Sequence, residues 1–160
     1  MKGWHFLAGD GKLGYKDERL VEVGVPLAAE GDLELCENGM HASKRILDAL
    51  RYAPGTIICR VELTGELRHA DDKMVGRQRE VLWMLTAAQS EDVLRRFARS
   101  CALDVVELWD APEVVVQYLK TGAEDLRDAA WADMNKKQNR RLTALAVAAR
   151  TDKIVSQKQW

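Results

Sequence analysis

His5, His41 and Glu80 are the side chains of this sequence best suited to moving protons or holding a ligand hydroxyl. His5 stands in Trp4-His-Phe-Leu7, which reads as a strand with aromatic neighbours. An imidazole there can donate a hydrogen bond to a ligand hydroxyl, or act as a core-edge histidine bonded to backbone. His41, within Leu35-Cys-Glu-Asn-Gly-Met-His-Ala-Ser43, has the same two readings. Its expected place at a strand end, just before a helix, is where functional side chains are often carried. Glu80 follows Gly76-Arg-Gln-Arg79 and opens the apolar run 81–85. A carboxylate at the end of a buried strand suits a catalytic or ribose-binding role, and equally a charge that caps the element. Asp71 and Asp72 are adjacent acids; such a pair can bind a metal or share a proton, or form a solvated turn. His69 reads as a surface residue.

The remaining chemistry is sparse. No GxGxxG, Walker loop, GxSxG, HExxH or EF-hand spacing occurs. Cys36, Cys59 and Cys101 are scattered and form no CxxC, so neither a metal site nor a redox motif is expected. Cys59 and Cys101 read as buried thiols of a reducing compartment. Trp83, Trp109 and Trp131 lie in apolar or amphipathic surroundings and read as core.

The elements that position these residues divide along the chain. The first half reads as β-rich, with strands at 3–7, 20–25 and 33–36, turns at Asp10-Gly11 and Asn38-Gly39, and a long apolar strand from Thr56 to Leu63. Between them Ser43 is expected to cap a helix over 44–53, whose apolar face is Ile46, Leu47, Leu50 and Tyr52. Gly65-Glu66 is expected to break the long strand. The second half reads as helical. Ser90 is expected to cap a helix with Val93, Leu94, Phe97, Ala98 and Cys101 on one face. Pro112 starts a second helix that stops at Gly122. A third runs from Ala123 to about Arg150. These patterns predict an α+β fold: an N-terminal mixed sheet with one inserted helix, covered by C-terminal helices. Residues 1–122 form the α+β domain, and 123–160 a long helix and polar tail packed on it or extending from it.

At 160 residues, with 47% hydrophobic and 31% charged side chains, the chain has enough apolar material for a core without disulfides. No apolar run is long enough to span a membrane, and Lys2-Gly-Trp-His does not read as a secretory leader. The net charge of −1 argues against bulk nucleic-acid binding, yet the charge is polarised. Residues 17–37 carry net −6 and residues 136–158 net +6. Lys136, Lys137, Arg140 and Arg141 would form a positive collar able to meet an acidic protein or nucleic acid, or simply a solvated face.

Two resemblances follow from particular segments. Leu35-Cys-Glu-Asn-Gly-Met-His-Ala-Ser43, Arg45-Ile-Leu-Asp-Ala-Leu50, Cys59-Arg-Val-Glu-Leu63, Asp71-Asp-Lys73, Val81-Leu-Trp83 and Leu108-Trp-Asp-Ala-Pro112 resemble an uncharacterised family of small phage and prophage proteins. That resemblance implies a phage or mobile-element origin and brings no established activity. Together with the lack of a firm catalytic motif and the polarised charge, it supports a non-catalytic protein without cofactor, in the cytoplasm of a bacterial host, that binds a host macromolecule, as an inhibitor of a defence system would. Trp4-His-Phe6 and Asn38-Gly-Met-His-Ala-Ser43 are also similar to the first two motifs of the ADP-ribosyltransferase superfamily. This second resemblance implies NAD as cofactor and an ADP-ribosyltransferase-like core. His5 would hold the ribose, His41 would stack on nicotinamide with Ser43 beside the cofactor, and Glu80 would stabilise the oxocarbenium-like state. His41 stands where that superfamily has a tyrosine.

Overall fold

The computed structural model describes residues 1–14 and 17–136. In chain order the elements are β1 (Lys2–Leu7), β2 (Lys12–Gly14), β3 (Asp17–Leu20), β4 (Leu27–Ala28), β5 (Met40–Ala42), α1 (Ile46–Arg51), β6 (Ile57–His69), β7 (Met74–Met84), α2 (Ala87–Leu103), a 3₁₀ turn at Val106–Leu108, α3 (Glu113–Thr121) and α4 (Glu124–Lys136). The fold is α+β, with an antiparallel five-stranded sheet and four helices among the described residues. Its contacts divide it into two units, Met1–Ser90 and the residues from Glu91 onward.

The first unit is built on the β6–β7 hairpin. The two strands pair from Cys59↔Met84 to His69↔Met74, and the Ala70 N–H donates to the Lys73 carbonyl at the turn (2.9 Å). The free edge of β6 receives β1, from Lys2↔Glu62 to Leu7↔Ile57. The other edge of β7 carries β4 at Leu27↔Arg79 and β5 from Met40↔Gly76 to Ala42↔Met74. Gly65-Glu66 does not end β6. The ladder shifts register between Thr64 and Leu67, and again between Arg60 and Val61. Gly65 takes a left-handed φ of +77° at the first shift. Bulges of this kind bend a strand and increase its twist. The sheet therefore curls until Ser43, just past β5, meets Trp4 on β1. Their backbones exchange hydrogen bonds of 2.7 and 2.9 Å. Inside the curl lie Leu7, Met40, Ala42, Cys59, Val61, Leu63, Met74 and Val81.

Several local expectations change. Residues 33–36 are not a strand: Glu34 and Asn38 bridge around a tight turn, and the Asn38 side-chain amide donates to the Glu30 and Asp32 carbonyls (2.6 and 2.8 Å). Gly39 sits at φ +128°, and a Cβ there would press on Val75 and come within 2.8 Å of Leu33. Ser43 does not cap α1, because its backbone is spent on closing the sheet. The N-cap is Arg45, with no side-chain cap. The buried residues of α1 are Asp48 and Ala49, while Leu47 and Tyr52 are exposed. Helix α2 starts before Ser90. Thr86 and Gln89 hydrogen-bond each other's backbone N–H, a reciprocal capping box (3.0 and 3.2 Å). Ser90 is instead fully buried and accepts the Ile58 N–H through its hydroxyl (3.1 Å).

In the second unit Ala98, Ala102, Val115, Leu119 and Ala130 form one cluster. Helix α3 follows Pro112 and ends at Gly122, whose φ of +66° and N–H to the Tyr118 carbonyl (2.7 Å) are a left-handed C-cap. On α2 the buried positions are Ser90, Leu94, Ala98 and Ala102, at four-residue spacing, and Val93 and Phe97 are exposed. Leu94→Ala is therefore expected to cost about 2–5 kcal/mol. Phe97→Ala is expected to cost about 1 kcal/mol or less. Denaturant midpoints in the reverse order would return Phe97 to the core.

Candidate functional site

Strand parity decides which candidate residues meet. Cys59, Val61 and Leu63 alternate onto the inner face of β6. His5 is opposite Cys59 and Arg79 is opposite Leu63, so both take that inner face. Glu80 is opposite Glu62 on the other face. The sheet thus brings His5 together with Arg79 and leaves Glu80 apart from them. His41 joins from β5: its carbonyl accepts a hydrogen bond from Arg79 Nη1 at 2.8 Å. Ser43 is buried at the strand junction.

The inner cluster is electrostatically unusual. Arg79 is only 5% exposed, and burial draws its pKa down to about 10, so it stays a cation at neutral pH. Burial also holds His5 well below its ordinary 6.5, with Arg79 and then His41 adding to the effect. Its Nε2 is sealed from solvent and has no hydrogen-bond partner among the described residues. His41 is lowered by burial too, opposed by a backbone hydrogen bond at Gly39 and helped by Arg79 and Lys73. His41 Nε2 accepts the Cys36 N–H at 3.0 Å, which requires the neutral ring. Burial pushes the Cys59 thiol up to about 12.

Arg79 is the residue that motif reading passes over. Its signal is parity: it lies two residues before Val81, which is on the buried face, and the charged stretch Gly76–Glu80 hides that alternation.

The outer face of the same strands carries a different set. Trp4, Arg60 and Trp83 stand in register across β1, β6 and β7. The two indoles meet edge to face, with centroids 5.7 Å apart and planes at 83°. The Arg60 guanidinium lies 4.8 Å from the Trp4 ring centroid. Trp83 is 44% exposed and so is not a core residue.

At the hairpin turn, Asp72 accepts the Tyr52 hydroxyl (2.5 Å) and pairs with Arg51 (3.5 Å). The tyrosine bond and the nearby cations hold its carboxyl below the usual range. Lys73 packs its ammonium over the Tyr52 ring and donates to Cys36 Sγ at 2.8 Å. Cys36 is exposed, with a left-handed φ of +72°. Part of the acidic segment is locally neutralised, by Asp17–Arg19 and Glu18–Lys12 ion pairs. Of the basic collar, Lys136 ends α4; Lys137, Arg140 and Arg141 lie outside the described residues. No described helix is long and apolar enough to cross a membrane.

Two measurements check these environments. Both histidines bind protons less readily when folded, so below pH 6.5 the unfolded chain takes up more protons than the folded one. Stability should be full above that value and fall as the pH drops toward the depressed folded pKa values. His5→Leu should flatten the decline between about pH 7 and about pH 5. An unchanged decline in urea midpoints would assign acid sensitivity elsewhere. In the native protein a disulfide reagent such as DTNB should modify Cys36 readily and Cys59 only on unfolding. Peptide mapping that finds Cys59 modified first would overturn the inner-face assignment.

No curated protein and no solved structure matches the chain. Residues 12–92, from β2 into the first turns of α2, match the family described as a domain of unknown function, DUF7666. His41, Arg79 and Trp83 fall within that stretch, and β1 with His5 and Trp4 precedes it. The matched stretch is just over half of the chain, which therefore belongs to the DUF7666 family.

Proposed function

We propose that this chain is a phage-type interaction protein that binds a host protein, in the manner of an inhibitor of a bacterial defence system, and performs no catalysis. The observation that carries this reading is the Trp4–Arg60–Trp83 row on the outer sheet face. An indole left 44% exposed on a sheet forgoes favourable burial. Tryptophan and arginine are the residue types that most often anchor protein interfaces. Here the edge-to-face ring contact and the cation–π contact hold both indoles in place before any partner arrives, so less side-chain entropy is lost on binding. The resemblance to small phage proteins supports a host macromolecule as partner. The basic residues Lys136, Lys137, Arg140 and Arg141 would give the same protein a second, salt-sensitive contact to an acidic protein or nucleic acid.

ADP-ribosyl transfer from NAD, the alternative, asks His5, His41 and Glu80 to converge on one cofactor. Glu80 faces away from His5, beside Glu62, and this favours the binding reading. The test is affinity capture from a bacterial lysate with the wild type, Trp83→Ala and Arg60→Ala. The partner should be retained by the wild type and lost by about tenfold or more in Trp83→Ala, with its melting temperature little changed. Equal capture by all three proteins would remove the outer face from the interaction. Release of nicotinamide from NAD by the wild type would replace binding with catalysis.

A further inference from the structure

We propose that Arg79 is the centre of a small-oxyanion site on the inner face of the sheet, in which its guanidinium and His5 receive one carboxylate or phosphate group. This inference stands apart from the outer-face reading and uses none of its residues.

Among the described residues the ion-paired arginines, from Arg77 with Glu66 to Arg45 with Asp48, project side chains that are 30–74% exposed, where water reaches them. Arg79 is the buried one, and among the described residues it has no carboxylate partner. Its hydrogen bond is a single one, from Nη1 to the neutral carbonyl of His41. A guanidinium has five N–H donors, so most of its capacity is unused within the protein. Buried charge of this kind is costly unless it is paired and hydrogen-bonded.

The neighbours cannot supply the counter-charge. Cys59, the one acidic group that senses Arg79, is a neutral thiol, because its pKa lies at about 12. His5 and His41 are neutral bases. Glu62 and Glu80 are on the opposite face. The cluster therefore carries one uncompensated positive charge at neutral pH.

A second, independent observation points to the same ligand. His5 Nε2 is a polar atom sealed from water with no hydrogen-bond partner among the described residues. An oxyanion held by Arg79 would offer it an acceptor. The forked guanidinium matches the paired oxygens of a carboxylate or phosphate better than any neutral group does. His41 is only half-buried and carries the carbonyl on which the guanidinium rests.

The experiment is an NMR titration of the full chain with sodium phosphate, sodium acetate and sodium chloride at matched ionic strength. It follows the Arg79 Nε–H and His5 ring signals. Saturable shifts of both with phosphate alone assign a phosphoryl group, with acetate alone a carboxylate, and with both a general oxyanion site. Saturation by neither, or the same response to chloride, overturns the proposal. In parallel, melting temperatures are measured with and without phosphate or acetate for the wild type and Arg79→Met, which keeps length and loses charge. The anion-dependent rise should be present in the wild type and absent in Arg79→Met. A rise that survives the substitution overturns the proposal, and if Arg79→Met does not fold, the wild-type titration decides alone.

Discussion

The β6–β7 ladder is the constraint on which the rest of the first unit hangs. Every other strand of the main sheet hydrogen-bonds one of these two: β1 lies on β6, and β4 and β5 share the far edge of β7. The ladder also fixes chemistry, because side chains alternate across a strand with period two. One register sends His5, Cys59 and Arg79 inward and Trp4, Arg60, Glu62 and Glu80 outward. A slip of one residue would exchange the two sets, putting an arginine and a histidine in water and two glutamates in the core. The exchange would bring Arg60, Glu62 and Glu80 among apolar side chains, three charged groups in place of one, so the observed register buries less charge.

The inner face is a low-dielectric region with one cation in it. Burial favours the neutral form of every group there, and for His5, His41 and Cys59 a neutral form is within reach at ordinary pH. Arginine has no such escape, since even a pKa drawn down to about 10 leaves it charged. The cluster's electrostatics are set by that asymmetry. Arg79 depresses both histidines further and opposes the rise of the cysteine. His41 is tied in twice, through its carbonyl to Arg79 and through Nε2 to the Cys36 turn. His41 thus joins the inner cluster to the turn whose Cys36 accepts a hydrogen bond from Lys73.

The sequence was readable where one local signal decides the outcome. Pro112 and Gly122 bracket α3 because each restricts or frees the backbone in a way that tertiary packing does not override. Val61 and Leu63, alternating with Arg60, Glu62 and Thr64, mark β6, and Cys59 is buried as its apolar strand predicts. It was unreadable where two signals compete. Ser43 has the chemistry of a helix cap, but its backbone closes the sheet on Trp4, and that pairing is long-range. Ser90 has the same chemistry and instead ties α2 to Ile58, because Thr86 with Gln89 caps the helix one turn earlier. Gly65 breaks a regular strand and yet permits a bulge, and the second outcome wins because both flanks find partners on β7. For the site, the two histidines were identifiable by residue type, whereas Arg79 and the division between Glu80 and His5 depend on register.

Strand β1 serves both faces at once. It covers the edge of β6 from Ile57 to Glu62, which would otherwise present unpaired backbone groups along an apolar strand. In doing so it delivers His5 to the cation inside and Trp4 to the indole and guanidinium outside, one residue apart. The Trp4 backbone is also the point where the curled sheet closes on Ser43. The two surfaces are mechanically joined by a single peptide unit, between Trp4 and His5.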